Sequence, residues 1–317
     1  MARMEIGIVG LGRMGGNMAR RLARGGVRIV GFDPDASVRE SLAAEGVIEP
    51  AASAIALVHA LSPRRVVWLM VPAGTTTELA VQECWPEMQR GDVLVDGGNA
   101  NYKDSQRRAA AVATAGVEFV DCGVSGGVWG LDNGYAMMFG GSAQAAQAVE
   151  PFIRLLAPAP DRGWLHCGPA GSGHFAKMIH NGIEYGLMEA YAEGFEVLYK
   201  SKFPLDLHQV CKVWNRGSVI RSWLLELAEG LFETENDLRG IQPYVEDSGE
   251  GRWTIHAAME ADAPVPVIAA ALFARFASRD PVNFSARFAA GLRNQFGGHT
   301  IQRADAKKIE STGEVKS

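Results

Sequence analysis

Within Phe175-Ala-Lys-Met-Ile-His-Asn-Gly-Ile-Glu-Tyr185, a lysine, an amide and a carboxylate recur at helical spacing. As an α-helix the segment puts Lys177, Asn181 and Glu184 at i, i+4 and i+7, on one face. Met178, Ile179 and Ile183 between them, and Leu187 just beyond, can turn toward a core. An amine, an amide and a carboxylate on a partly buried face form an acid/base set. A solvated, salt-bridged helix would use the same charges, but His180 and Asn181 are poor residues for a helix interior. The entry Gly168-Pro-Ala-Gly-Ser-Gly173 would let such a helix approach a bound cofactor. The segment alone names no reaction.

A second constellation opens the chain. Gly10-Leu11-Gly12-Arg13-Met14-Gly15 is G-x-G-x-x-G. Alone this is a weak signal; here it follows a strand pattern and opens a helix pattern, as a dinucleotide site requires. Gly10 allows the tight turn, Gly12 lets the backbone approach a pyrophosphate, and Gly15 lets helix and strand pack closely. Free N–H groups at the helix start then face the phosphates. Asp33, in Gly31-Phe-Asp33-Pro34, stands roughly 20 residues further on, where an acid takes the adenosine ribose hydroxyls. A plain Asp-Pro turn explains the same pair, and both can hold. A carboxylate there repels a 2′-phosphate, Pro34 leaves no arginine directly beside it, and Arg39 is a helical turn away. NAD is favoured over NADP.

The elements that must position these groups can be read in outline. Strand patterns at residues 5–9, 28–32, 66–71, 93–96, 118–122 and 136–140 alternate with helical patterns at 15–24, 37–44, 76–88, 104–115 and 143–155. Such alternation argues for parallel βαβ units. From about residue 174 helical patterns take over, at 174–200, 207–215, 219–229, 253–260, 266–278 and 285–293, with no convincing strand. The expected class is α/β: an N-terminal Rossmann-type doubly wound sheet (residues 1–174) followed by an all-helical C-terminal domain (175–317) for substrate and dimerisation. Residues 304–317 are polar and expected to fray.

Of 317 residues, 47% are hydrophobic and 21% charged, a globular composition with room for two domains. A net charge of −5 without a basic run argues against nucleic-acid binding. Cys84, Cys122, Cys167 and Cys211 are scattered without CxxC spacing, which indicates neither a zinc knuckle nor a disulfide framework. No HxxxH pair or carboxylate cluster suggests a metal site. The N-terminus runs straight into a strand pattern rather than a signal peptide, and no apolar run spans a bilayer. A cytoplasmic setting is expected.

Further motifs follow in order: Val71-Pro72-Ala73-Gly74, Asp96-Gly-Gly-Asn99, Val124-Ser-Gly-Gly127, Lys177-Met-Ile-His-Asn-Gly-Ile-Glu-Tyr185, Gly251-Arg-Trp-Thr254 and Arg293-Asn-Gln-Phe-Gly-Gly-His299. With the glycine loop they cover nearly the whole chain, which resembles the 6-phosphogluconate dehydrogenase family in its shorter bacterial form. The glycine loop, the Ser-Gly-Gly turn and Lys-x-x-x-Asn are shared across β-hydroxyacid dehydrogenases. Asp-Gly-Gly-Asn, His-Asn-Gly-Ile-Glu-Tyr and Phe-Gly-Gly-His are more specific.

The resemblance implies oxidative decarboxylation of 6-phospho-D-gluconate to ribulose 5-phosphate and CO2 with reduction of NAD(P), in the pentose phosphate pathway. It implies Lys177 as general base and acid and Glu184 as a second acid. Asn99, Ser125, Gly126, Gly127, His180, Asn181 and Tyr185 match groups that hold the sugar acid. Thr254, Arg275, Arg293 and His299 match groups near its phosphate, with Arg252 where the long form has lysine. In the family the counterparts of Arg293 and His299 come from a neighbouring subunit, so a homo-oligomer is implied. The cofactor set is Gly10, Leu11, Gly12, Arg13, Met14, Gly15, Asp33, Val71, Pro72, Ala73 and Asn99.

Some features depart from the family pattern. Arg252 replaces a point charge by a planar fork. The loop Val128-Trp-Gly-Leu-Asp132 differs from the long form's acidic version, and Asp33-Pro34 replaces the Asn-Arg-Thr of NADP-using members. Much of the long form's helical C-terminal domain is missing. These departures bear on cofactor choice, phosphate affinity and oligomer arrangement, and leave Lys177 and Glu184 untouched.

The residues suit the implied chemistry. A free lysine, with pKa about 10.4, is a poor base at neutral pH; burial beside an oxidised nicotinamide would favour its neutral form. His180 lies beside the polar stripe and is read as a substrate ligand. His299 would be an exposed loop histidine but for the family match. Arg275 stands in an apolar helix, where a buried guanidinium needs a phosphate or a structural carboxylate. His59, His166, His174, His208 and His256 are read as structural. Competing readings are a 3-hydroxyisobutyrate-type dehydrogenase or imine reductase, which keep Lys-x-x-x-Asn but carry no His-Asn-Gly-Ile-Glu-Tyr and need no phosphate-binding tail, and a dinucleotide-binding protein without turnover.

Overall fold

The computed structural model describes residues 4–235, 237–297 and 300–302. His299 and the tail expected to fray, 304–317, lie outside the described residues. The chain divides into two compact units between Asn181 and Gly182.

The first unit holds eight strands: β1 (Glu5–Val9), β2 (Arg28–Phe32), β3 (Glu49–Pro50), β4 (Val66–Leu69), β5 (Val93–Asp96), β6 (Glu118–Ser125), β7 (Ala136–Gly140) and β8 (Trp164–Gly168). They form one sheet in the order β3-β2-β1-β4-β5-β6-β7-β8. Its helices are α1 (Arg13–Arg24), α2 (Ala36–Ala44), α3 (Ala54–His59), α4 (Thr75–Cys84), α5 (Tyr102–Ala113), α6 (Gly130–Asn133) and α7 (Ala143–Leu156). Successive strand side chains face opposite ways, and the core divides accordingly. Ile6, Ile8, Trp68, Val93 and Val95 join Met18 and Leu22 of α1 and Val149 and Ile153 of α7. Val9, Val67, Leu69 and Leu94 join Leu57 of α3, Val81 of α4 and Val112 of α5. Both faces are therefore covered, as in the expected doubly wound sheet.

Three features differ from expectation. β7 runs antiparallel to β6, because residues 126–135 offer only a short connection and a parallel return needs a full crossover. β3 and β8 carry no strand signal: β3 is two residues including a proline, and β8 is an edge strand of partly exposed residues. The short helix α3 begins where Ser53 Oγ accepts the Ala56 N–H at 3.0 Å.

Helix α8 (Ser172–Lys200) crosses the division between the units. The second unit continues with α9 (Leu207–Asn215), α10 (Trp223–Thr234), α11 (Glu250–Glu260), α12 (Pro266–Ser278) and α13 (Phe284–Gly297). Among the described residues no strand follows Gly168. Phe195, Leu207, Cys211, Leu225 and Phe232 form one apolar cluster; Tyr185, Ala271 and Leu272 form another. α10 starts later than residue 219, because Ser222 Oγ caps it by accepting the Leu225 N–H at 3.1 Å, while Val219 is fully exposed. No helix of the described residues is long and apolar enough to cross a membrane.

Candidate active site

The strand order reverses direction between β1 and β4, and ligands of such sheets bind beyond the carboxyl ends of the strands at that point. Gly10 follows β1 with φ of +91°, which an L side chain rarely adopts. A Cβ there would also meet Met70 O, at the end of β4, at 2.5 Å. A Cβ on Gly15 would lie 1.9 Å from Gly10 O, so α1 can start this close to the strand only with glycine. Gly12, by contrast, faces open space and caps α1 without a side-chain hydrogen bond. Arg13 begins the helix and is exposed, Met14 is half-buried, and Leu11 is buried. The loop after β4 leaves Val71 half-buried against the core and Pro72 and Ala73 at the surface, with Pro72 O accepting from Thr77 Oγ1 at 2.9 Å.

Asp33 closes β2 against this loop. Its Oδ2 accepts the Leu11 N–H at 2.8 Å and its Oδ1 accepts the Asp35 N–H at 3.0 Å. Arg39 is nearer than its helical offset suggests. Its guanidinium lies over the Phe32 ring at 5.7 Å and donates to the carbonyls of Asp33 and Pro34. An open cleft lined by Leu11, Gly12, Arg13, Ser37 and Ser41 adjoins the loop. An open glycine surface, an uncapped helix start and an anchored carboxylate fit a dinucleotide.

At the ends of β5 and β6 a second group assembles. Asp96 is fully buried; its Oδ2 accepts from Arg108 of α5 at 3.0 Å and its Oδ1 accepts the Gly98 N–H at 3.1 Å. This anchors the turn that presents Asn99, whose Oδ1 lies 3.4 Å from the Val124 nitrogen on β6. Ser125 ends β6, and Gly126 and Gly127 turn the chain away with positive φ. Two residues before Ser125, a Cβ on Gly123 would lie 2.2 Å from the Cβ of Lys177. The lysine stem therefore lies directly on the strand. Lys177 is 5% exposed; its Nζ donates to Asn181 Oδ1 at 2.6 Å and lies 3.3 Å from His180 Nδ1. The structure thus brings together Asn99, Ser125, Lys177, His180 and Asn181. Among the described residues no three His, Cys, Asp or Glu side chains group as metal ligands would.

The remaining candidates lie in the second unit. Glu184 is half-buried on α8 and Tyr185 is buried. The Tyr185 hydroxyl is 3.2 Å from Ser248 Oγ, which donates to Glu250. Arg275 is half-buried rather than buried in the apolar interior. It stacks over the Tyr185 ring at 3.4 Å and donates to Glu246 O at 2.7 Å, so a carbonyl and a ring serve as its partners. Thr254 is buried, its hydroxyl donating to Glu250 O at 2.8 Å. Arg252 pairs with Asp247 at 2.5 Å and lies over Phe276 at 4.4 Å. Arg293 is exposed on α13. Met178 is buried and Ile179 half-buried, but Ile183 and Leu187 are exposed, because α11 and α12 pack on the Tyr185 side of the helix.

Sequence reading passed over Asp121 and took His174 as merely structural. Asp121 sits in the apolar run of β6, fully buried. Burial raises its pKa above the ordinary carboxylate value, opposed by His174 and by N–H donors at Gly171 and His174. The available signal was an acid inside a buried strand, which requires a partner. Arg279 also escaped notice; it lies 3.8 Å from the Asp247 carboxylate that holds Arg252.

The profile of the NAD binding domain of 6-phosphogluconate dehydrogenase matches residues 5–166, and that of the enzyme's C-terminal domain matches residues 173–283. An NAD(+)-dependent, decarboxylating 6-phosphogluconate dehydrogenase of Haloferax volcanii is 43% identical, over 95% of this chain and 100% of that protein. An NADP(+)-dependent, decarboxylating one of Bacillus subtilis is 34% identical, over 88% of this chain and 62% of its own length. Among solved structures, Plasmodium falciparum 6-phosphogluconate dehydrogenase, studied in its apo form, with NADP+ and with 6-phosphogluconate, superposes with a TM-score of 0.80 at 28% identity. That alignment covers 97% of this chain and 68% of the other.

Proposed function

This chain belongs to the 6-phosphogluconate dehydrogenase family, and from that premise we propose that it oxidises and decarboxylates 6-phospho-D-gluconate to ribulose 5-phosphate and CO2, with NAD preferred over NADP. The observation that carries the reading is the buried Lys177 amine, laid on β6 and hydrogen-bonded to Asn181. A bound NAD+ would supply the acceptor for the hydride leaving C3 of the sugar acid. Lys177 takes the C3 hydroxyl proton. The protonated lysine then donates a hydrogen bond to the new C3 carbonyl oxygen. As CO2 leaves, the electron pair of the C1–C2 bond forms the C2=C3 double bond and the C3 oxygen takes the proton from Lys177, giving an enediol whose hydroxyl proton Lys177 takes back as the ketone forms. Glu184 delivers a proton to the carbon that becomes C1 of the product. Asn99, Ser125, His180 and Asn181 hold the hydroxyl and carboxylate groups. Tyr185 joins them in holding the sugar acid, and Arg252, Thr254, Arg275, Arg293 and His299 serve the phosphate end.

Preference for NAD is supported by Asp33, whose carboxylate is fixed at the glycine loop and would repel a 2′-phosphate. Arg39 is the opposing consideration, its guanidinium being held at the backbone carbonyls of Asp33 and Pro34. NADH and CO2 formation from 6-phosphogluconate, compared with gluconate and 3-hydroxyisobutyrate under each cofactor, tests both points. The phosphorylated acid with NAD should give the highest kcat/KM, with one CO2 per NADH. Equal rates on non-phosphorylated acids, or reduction without CO2, would overturn the substrate assignment. A wild-type preference for NADP would overturn the reading of Asp33. Asp33→Ser with Pro34→Arg should move preference toward NADP.

The site is also proposed to be completed by a second copy of the chain. Exposed apolar side chains in the second unit support this, among them Ile183, Val197, Phe273, Phe284 and Phe288, since such surface is seldom left uncovered.

A further inference from the structure

We infer that Asp121 is a positioning residue for the proposed base, setting the height of Lys177 on β6 by gripping the first turn of α8. Its Oδ1 accepts the Gly171 N–H at 2.6 Å and its Oδ2 accepts the His174 N–H at 2.7 Å. Both donors belong to the chain entering α8, where backbone N–H groups have no partner within the helix. A carboxylate there gains from both hydrogen bonds and from the helix dipole. Asp121 and Gly123 are two apart on one strand, so they point to the same face. The first holds the helix start; the second leaves room for the Lys177 stem, which a Cβ would strike at 2.2 Å. Strand and helix are close throughout this stretch: a Cβ on Gly173 would meet Asp121 O at 2.6 Å. His174 ties the same turn sideways, its Nδ1 lying 2.8 Å from Ser105 Oγ on α5.

Lys177 follows His174 by less than one turn. A rigid helix transmits any shift of its first turn directly to that amine. A misplacement of about 1 Å at a reacting group can cost about a hundredfold in rate. Asp121 touches neither substrate nor cofactor in this scheme and acts through the helix.

The inference rests on the proposed function for its kinetic test, and has a second test that does not. Asp121→Asn keeps one carbonyl acceptor but sets an NH2 group against a backbone N–H. Its kcat should fall at least about tenfold, with KM for NAD unchanged and a larger primary deuterium isotope effect from 3-deuterated substrate. A residue that merely supports folding would lower the active fraction and leave the isotope effect as it was; that result overturns the inference, as does an unchanged kcat. Gly123→Ala, which displaces the lysine stem from the other side, should reproduce the isotope-effect increase. If Asp121→Asn fails to fold, an unchanged isotope effect in Gly123→Ala overturns the proposed seating of Lys177. Should wild type not turn over 6-phosphogluconate, the function reading fails, and amide hydrogen exchange decides the positioning claim. Faster exchange confined to residues 171–177 in Asp121→Asn supports it, and unaltered exchange there overturns it.

Discussion

Lys177 is nearly excluded from solvent, and its amine donates to the neutral amide oxygen of Asn181. Lys177→Met preserves the stem that lies on Gly123 and removes only the amine. Turnover should fall by about 10²–10⁴-fold, while NAD affinity, measured by fluorescence titration, stays near wild type. Appreciable steady-state activity in that variant would remove the lysine from its role. Glu184→Gln should lower kcat with little change in substrate KM, since its proton transfer follows the first irreversible step; an unchanged kcat would exclude it. The polar stripe of α8 was legible in the sequence because helical period alone aligns it. Asp121 was not, because its partners lie some fifty residues further along the chain and only the fold brings them together.

At the scale of elements, α5 and the Asp96 turn depend on one buried ion pair. Arg108 and Asp96 are both essentially without exposure. Replacing Arg108 by leucine leaves a buried carboxylate unpaired, a loss of about 3–5 kcal/mol, measurable by urea unfolding. A loss under 1 kcal/mol would show that the turn stands without it. Glu78 of α4 bridges Arg107 and Arg108. The Arg107 hydrogen bond, more than that from Arg108, holds its pKa at about 2 against the opposing effect of burial. A depressed carboxylate pKa gives stability that is complete above the ordinary value of 4.5 and fades as pH falls toward 2. Urea midpoints should therefore decline across that window, and Glu78→Gln should flatten the decline. Asp121 has the opposite sign, since burial raises its pKa: its contribution is present at low pH and lost as pH rises through its folded value. Element positions were mostly legible because strands β1, β2, β5 and β7 are continuous apolar runs. β3 and β8 were hidden because edge strands bury too little to impose a pattern.

For the whole molecule, the two-part architecture follows from where strand patterns stop, and the described residues agree with it. For subunit arrangement the resemblance supplied an expectation of a shared site. A single chain leaves Val267, Phe273, Phe284, Phe288 and Leu292 exposed, far more apolar surface on α12 and α13 than isolated side chains would explain. If each site is shared, a Lys177→Met chain and an Arg293→Ala, His299→Ala chain, each inactive alone, should regain activity when mixed and reassembled, because one site per hybrid dimer has all its parts. Purified hybrids that recover nothing would refute sharing.

Helix α8 has a consequence for recombination between relatives. Domain boundaries usually fall in exposed linkers, and breeders of chimeric enzymes cut there. In this chain the division between units falls inside a continuous helix, between Asn181 and Gly182. A crossover at that point would inherit Lys177 from one parent and Glu184 from the other. Joined instead at Pro169–Ala170, ahead of the helix, a chimera would inherit both from one parent, and must re-establish the grip of β6 and the tie of α5 on the incoming turn.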